Sequence, residues 1–305
     1  MPAVSGASLK NWRQWAIEQA NTADVDPYEV DWLLQGVSDL SAAALRLGTY
    51  PPKVLLRFSL DALTKKWQRR LIDRVPVQYL VGETPWRDLM LTVTPAVLIP
   101  RPETELVIDI VQRRIQQSPH RQELETGIWV DMGTGSGAIA ISLARALPQA
   151  TILATDTSSD ALAVAQRNAQ LNNASHIRFY QGTWFEPLSD YRGGLMGMVA
   201  NPPYIPSKTV QTLEPEVQHE PHSALDGGED GLTDIRQLVE AAPAYLKPGG
   251  LWLTELMLGQ ADRVEALLAA AGYSQIEQHT DLSGVQRFVS ACQAATSRPE
   301  TSRPE

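Results

Sequence analysis

The tetrad Asn201-Pro202-Pro203-Tyr204 brings a carboxamide, two prolines and a phenol together directly after the apolar run Leu195, Met196, Met198, Val199 and Ala200. Such a run reads as a buried strand, and in open α/β sheets ligands bind in the crevice beyond the strands' carboxyl ends. Proline lacks a backbone N–H and holds φ near one value, so Asn201 is forced extended and the carbonyls of this turn stay free to accept. An Asn side-chain oxygen beside a free carbonyl is a two-acceptor clamp. The group that fits it is a planar NH2, with Tyr204 offering a flat face for packing. Asn-Pro is also a common turn opener, so a plain strand-to-loop turn is an equal alternative for the tetrad taken alone.

A second constellation lies upstream. Ile128-Trp129-Val130-Asp131 reads as a strand, and Met132-Gly133-Thr134-Gly135-Ser136-Gly137 turns directly into the apolar helix Ala138–Leu147. Glycines let a backbone bend sharply and approach a ligand closely, and a helix start offers unpaired N–H groups. The next strand, Thr151–Thr155, ends in Asp156, about twenty residues beyond the glycines, where an acid can accept both hydroxyls of a ribose. Dinucleotide enzymes use the pattern Gly-x-Gly-x-x-Gly, but Ala138 stands at the third glycine's position. The spacing after Asp131 therefore favours a nucleoside without pyrophosphate, which points to S-adenosylmethionine.

These groups need a scaffold, and the remaining chain supplies a recognisable one. Its 305 residues leave room for two domains, at roughly 100–200 residues each. Residues 8–75 read as helical throughout: Trp12, Trp15, Ala16 and Gln19 share a face, Asp26-Pro27 caps a second helix, and short helices follow Ser41 and Pro52. The last carries Leu56, Leu60, Leu63, Trp67 and Leu71 on one side, with Lys65, Lys66, Arg69, Arg70 and Arg74 largely on the other. A solvated face is the commoner reason for such a stripe, although it could meet an acidic partner. Leu89, Leu91 and Val93 alternate, which predicts a β-hairpin within 76–100 that links two domains. The segment Leu98 to Glu105, rigid through Pro100 and Pro102, reads by itself as a linker before a helix bearing Leu106, Val107, Ile110 and Val111.

From Gly127 strands and helices alternate, ending in two strands near 274–280 and 285–291 joined by a turn too short for anything but antiparallel pairing. The expected fold is α/β, a doubly wound sheet with a C-terminal antiparallel hairpin, preceded by a small α-helical bundle. Boundaries fall at 1–75, 76–100, 101–293 and 294–305. The last stretch repeats Thr296–Glu300 as Thr301–Glu305 and is expected to be disordered.

A net charge of -9 gives no support to tight, sequence-independent nucleic-acid binding, which depends on neutralising phosphates. Residues 1–80 hold ten Lys/Arg against eight Asp/Glu, so the acidity lies beyond them. Cys292 is the single cysteine, which excludes an internal disulfide framework and argues against a structural zinc site. No apolar run is long enough for a membrane span and no signal pattern is present, so a cytosolic, non-membrane protein is expected.

Taken together, the glycine turn with Asp156, the tetrad, the Leu98 to Glu105 stretch and the helical bundle resemble the HemK/PrmC family, the release factor glutamine methyltransferases, from about residue 10 to 290. The tetrad is shared with amino-methylating enzymes of DNA, RNA and protein and so specifies chemistry; Ile-Pro-Arg-Pro-Glu-Thr-Glu narrows the family. The resemblance implies a Rossmann-like class I methyltransferase in which Asp131, Gly133, Thr134, Gly135, Ser136, Gly137, Asp156, Trp184 and Asn201 form the S-adenosylmethionine pocket. Asn201, Pro202, Pro203 and Tyr204 would hold the target glutamine, with catalysis resting on Asn201, Pro202 and Tyr204. The implied substrate is the Gly-Gly-Gln motif of bacterial peptide chain release factors, the implied state a monomer.

Three departures from the family pattern are visible: Thr183 replaces an acid before Trp184, Trp86 replaces Phe, and Glu255-Leu256-Met257 replaces Glu-x-Gly. Alternatives from other classes are a ribosomal-protein glutamine methyltransferase, a nucleic-acid adenine methyltransferase, and a non-catalytic adapter. A labelled ribosomal protein would point to the first, salt-dependent nucleic-acid binding to the second, and cofactor binding without transfer to the third.

Overall fold

The computed structural model describes residues 1–294; the repeated tail from Thr296 onward lies outside the described residues. Among the described residues two compact units are present, one of 1–84, 92–95 and 213–220, the other of 85–91, 96–212 and 221–294.

The first unit contains β1 (Ala3–Ser5), α1 (Gly6–Thr22), α2 (Tyr28–Val37), α3 (Ala42–Leu47), β2 (Lys53–Leu55), α4 (Leu60–Ile72) and α5 (Val77–Val81). The helices start where serines can cap them: Ser5, Ser41 and Ser59 each accept from a backbone N–H in the first turn of α1, α3 and α4. Asp26 Oδ1 does the same for the Tyr28 N–H. Trp67 anchors the centre, fully buried, its indole N–H donating to the Ala16 carbonyl at 3.1 Å.

Three expectations are corrected here. Residues 8–75 are not helical throughout, because Pro51-Pro52 forces an extended entry and Lys53–Leu55 pairs antiparallel with Ala3–Ser5. Leu56 therefore bridges Ser38 instead of opening α4. Nor do all the basic residues of α4 face water: Arg70 is 4% exposed, held by Glu29 at 2.6 Å and Glu216 at 2.8 Å.

The chain then forms the hairpin β3 (Glu83–Trp86) and β4 (Leu89–Thr92), whose residues are divided between the units. The second unit continues through α6 (Leu106–Gln117), α7 (Arg121–Thr126), β5 (Ile128–Met132), α8 (Ala138–Ala146), β6 (Thr151–Asp156), α9 (Ser159–Leu171), β7 (Arg178–Gln181) and β8 (Leu195–Ala200). It ends with α10 (Ser207–Val210), α11 (Thr233–Ala241), β9 (Leu246–Glu255), α12 (Ala261–Ala270), β10 (Ser274–Thr280) and β11 (Gln286–Cys292).

Seven strands make one sheet in the order β10-β11-β9-β8-β5-β6-β7, parallel except where β11 pairs with β9 and β10. Successive strand residues feed opposite faces. Trp129, Ile152, Val199, Leu253 and Phe288 enter one core with α6 and α8, while Val130, Leu153, Met198, Trp252 and Val289 enter the other with α11 and α12. Both faces are thereby covered, which is why β8 is buried along its whole length. Gly197 is required in that strand, since a Cβ there would lie 2.1 Å from the Trp129 ring. The fold expected from the sequence is the one observed: a doubly wound sheet closed by an antiparallel hairpin, with α-helices preceding it.

Candidate active site

β5 has β6 on one side and β8 on the other, so chain order reverses at its carboxyl end. Crevices form at such switch points, because the connections leave toward opposite faces. The residues after β5, β6, β7 and β8 line a single cavity of about 330 Å³, together with residues 96–98, Pro100, Arg101, Thr104 and Asp234. That volume lies in the range of small-molecule sites, roughly 300–1,000 Å³.

The glycine turn owes its shape to two carboxylates. Asp131 is 1% exposed; its Oδ2 accepts from the Thr134 hydroxyl at 2.6 Å and the Ala140 N–H at 3.1 Å. Burial pushes its carboxyl up to about 7 against those two bonds. Asp156 accepts from the Gly135 N–H through Oδ2 and from the Ser158 N–H through Oδ1, each at 2.9 Å. Each oxygen keeps acceptor capacity for a further donor. Gly133, Gly135 and Gly137 all have positive φ, and at Gly137 a Cβ would press on Ala165 at 3.2 Å.

Of the residues expected around a cofactor, Gly133, Thr134, Gly135, Ser136, Asp156, Trp184 and Asn201 line the cavity. Asp131 and Gly137 are not part of that lining. Trp184 sits at φ 47° with an edge near Gly133, and its indole N–H donates to Asp234 Oδ1 at 3.2 Å. Asp234, which burial raises above the usual carboxylate range, thus brings an acid to the end of the cavity where Thr183 replaced one.

In the tetrad, Asn201 and Pro203 line the cavity, whereas Pro202 and Tyr204 do not. Asn201 Nδ2 donates to Thr104 Oγ1 at 3.3 Å. The Tyr204 ring packs on the second core and its hydroxyl donates to Glu255 Oε1 at 3.1 Å. The proline-rich stretch is more than a linker: Leu98, Pro100, Arg101 and Thr104 are cavity walls. Trp86 fixes it by donating from its indole N–H to the Arg101 carbonyl at 2.8 Å, a bond that phenylalanine could not make. At Glu255-Leu256-Met257 the missing glycine is not needed for a left-handed turn, because Met257 keeps negative φ and its N–H donates to Gln260 Oε1 at 2.9 Å.

The donor and acceptor set suits S-adenosylmethionine. An acid with spare lone pairs can take ribose hydroxyls at Asp156, and Leu98, Ala138, Ile139, Ala161 and Trp184 supply apolar surface. Asn201 borders the same space, so a methyl donor and an amide acceptor could meet there.

A family model described as "Methyltransferase small domain" matches residues 115–228. Among curated proteins, the release factor glutamine methyltransferase of Synechocystis sp. is 48% identical over 94% of this chain and 97% of its own length. That of Thermosynechococcus vestitus is 47% identical over 94% and 99%, and that of Gloeobacter violaceus 42% over 91% and 94%. Two solved structures share the fold. The hMettl16 catalytic domain in complex with a MAT2A 3'UTR hairpin matches at TM-score 0.56, with 14% identity over 86% of this chain and 90% of that one. A methyltransferase from Pyrococcus furiosus matches at 0.50, with 16% identity over 76% and 96%.

Proposed function

The chain belongs to the release factor glutamine methyltransferase family, and from that premise we propose that it methylates the side-chain amide nitrogen of a glutamine in a peptide chain release factor, the glutamine of its Gly-Gly-Gln motif. The observation that carries the reading is the presence of Asn201 in the same cavity as the glycine turn and Asp156. S-Adenosylmethionine supplies the methyl group as an electrophile on a sulfonium centre.

An amide nitrogen is a poor nucleophile because its lone pair is delocalised into the carbonyl. No side-chain base could deprotonate it first, and none is required, since the nitrogen becomes far more acidic as it gains a methyl group. The protein's task is to hold the NH2 by its hydrogens, with Asn201 Oδ1, which borders the cavity, as the first acceptor and the adjoining Pro202 backbone carbonyl, whose residue lies just outside that lining, as the second. Orientation of this kind can supply about 7–11 kcal/mol. The apolar wall around Trp184 excludes water while positive charge is being lost, which favours transfer. Incubation with methyl-labelled S-adenosylmethionine and purified release factor tests the reading. The label is expected on one glutamine; label on a ribosomal protein or nucleic acid instead would overturn it.

A glutamine side chain occurs throughout the proteome, so the clamp cannot choose its protein and selection must come from a surface remote from it. The helical unit is that docking surface. Lys66 and Arg70 are already engaged, Lys66 Nζ with the Leu80 carbonyl and Arg70 with Glu29 and Glu216. Lys65 and Arg69 remain exposed on α4. Deleting residues 1–75 would also release Glu216 from Arg70 and Arg74, so charge reversal is the cleaner test. Lys65→Glu with Arg69→Glu is expected to raise KM for the whole release factor roughly tenfold at low salt, with KM for a short glutamine peptide unchanged. Equal KM values for the whole protein before and after reversal would show that α4 does not dock it.

A further inference from the structure

A carboxamide has two ends of similar shape and opposite hydrogen-bonding character, so a clamp built on Asn201 works only if its oxygen, and not its NH2, is offered to the substrate. Asn201 Nδ2 donates to Thr104 Oγ1 at 3.3 Å. Thr104 is 4% exposed, which leaves its hydroxyl little access to water. A hydroxyl accepting at oxygen must place its own hydrogen elsewhere, and the acceptor at hand is Glu255. Burial pushes the Glu255 carboxyl up to about 7, against hydrogen bonds from Thr104 and Tyr204 that stabilise its charged form. Tyr204 takes Oε1 at 3.1 Å. Oε2 is buried and unpaired, so the carboxylate has acceptor capacity left for the Thr104 hydroxyl that bears on it.

We propose that Thr104 and Glu255 are positioning residues that set the polarity of the Asn201 amide. In its ionised form the carboxylate can only accept, so it draws the Thr104 hydrogen. The Thr104 oxygen is then an acceptor toward Asn201, which turns Nδ2 inward and leaves Oδ1 as the end offered to a glutamine NH2. If Asn201 flipped, Thr104 would have to donate to it, and Glu255 would lose that donor in a place water hardly reaches. The inference deepens the amide transfer proposed above and rests on it.

Thr104→Val keeps the side chain's shape and removes its hydroxyl; Thr104→Ser keeps the hydroxyl. With release factor as substrate, Thr104→Val is expected to lower kcat about ten- to a hundredfold, to change the Kd for S-adenosylmethionine far less, and to be largely rescued in Thr104→Ser. Glu255→Gln, which can present an NH2 where only acceptors stood, is expected to lower kcat in the same way. Normal kcat in Thr104→Val, or a loss that serine does not restore, overturns the proposal while glutamine transfer by the unmodified enzyme stands. Absence of glutamine transfer by the unmodified enzyme defeats the reading beneath it and the proposal together.

Discussion

Asn201→Ala is expected to abolish methyl transfer while leaving S-adenosylmethionine affinity within about tenfold of normal. The asymmetry follows from where the residue stands. Its carboxamide borders the cavity that the glycine turn and Asp156 also line, and in the proposed reading those backbone and carboxylate groups, not the amide, do most of the nucleoside recognition. Truncation removes the acceptor that would orient the substrate NH2, and an unoriented amide nitrogen has little nucleophilicity to fall back on. Loss of one such oriented hydrogen-bonding group commonly costs about 10²–10³-fold in kcat, and here the nucleophile itself depends on it. Asn201→Asp, which keeps an acceptor at the same place, is expected to retain measurable turnover. Stopped or equilibrium binding of the cofactor beside steady-state kinetics separates the two effects. Near-normal turnover in Asn201→Ala would remove the clamp from the mechanism.

Asp156→Ala should act on the other half of the reaction. Loss of a charged hydrogen bond costs about 1.5–3 kcal/mol, and Asp156 also accepts from the Gly135 and Ser158 N–H groups. Alanine would therefore remove the proposed ribose acceptor and loosen the glycine turn that Asp156 holds. Calorimetry is expected to show weakening at or above the upper end of that range, with kcat at saturating cofactor much less affected. Asp156→Asn, which still accepts from one N–H, should fall between. An unchanged Kd would take Asp156 out of the cofactor site.

Much of this was legible in the sequence because it is local. The strand, glycine turn, helix and following acid are contiguous, and the β8 run leads straight into the tetrad, so periodicity and spacing place them at neighbouring strand ends. What escaped was assembled over distance. Thr104 reaches Asn201 across a separation of 97 residues and Tyr204 reaches Glu255 across 51, and nothing in the local pattern of either segment marks the encounter. Asp234 lies in the first turn of α11 and reads there as an ordinary helix-start acid. The Leu98 to Glu105 prolines signalled rigidity, yet rigidity alone does not distinguish a wall from a linker. On α4 the charge pattern suggested a solvated stripe, but Arg70 is buried by partners at Glu29 and in the distant loop at Glu216.

The central claim is that the methyl group goes to a side-chain amide nitrogen held by acceptors. It is tested most directly by treating purified release factor with the enzyme and S-adenosylmethionine, digesting it, and fragmenting the modified peptide. The account predicts a single methyl group on the glutamine of the Gly-Gly-Gln motif, retained through mild alkaline treatment that would cleave a methyl ester. A base-labile methyl group on a carboxylate, or a stable one on a residue other than glutamine, would contradict it.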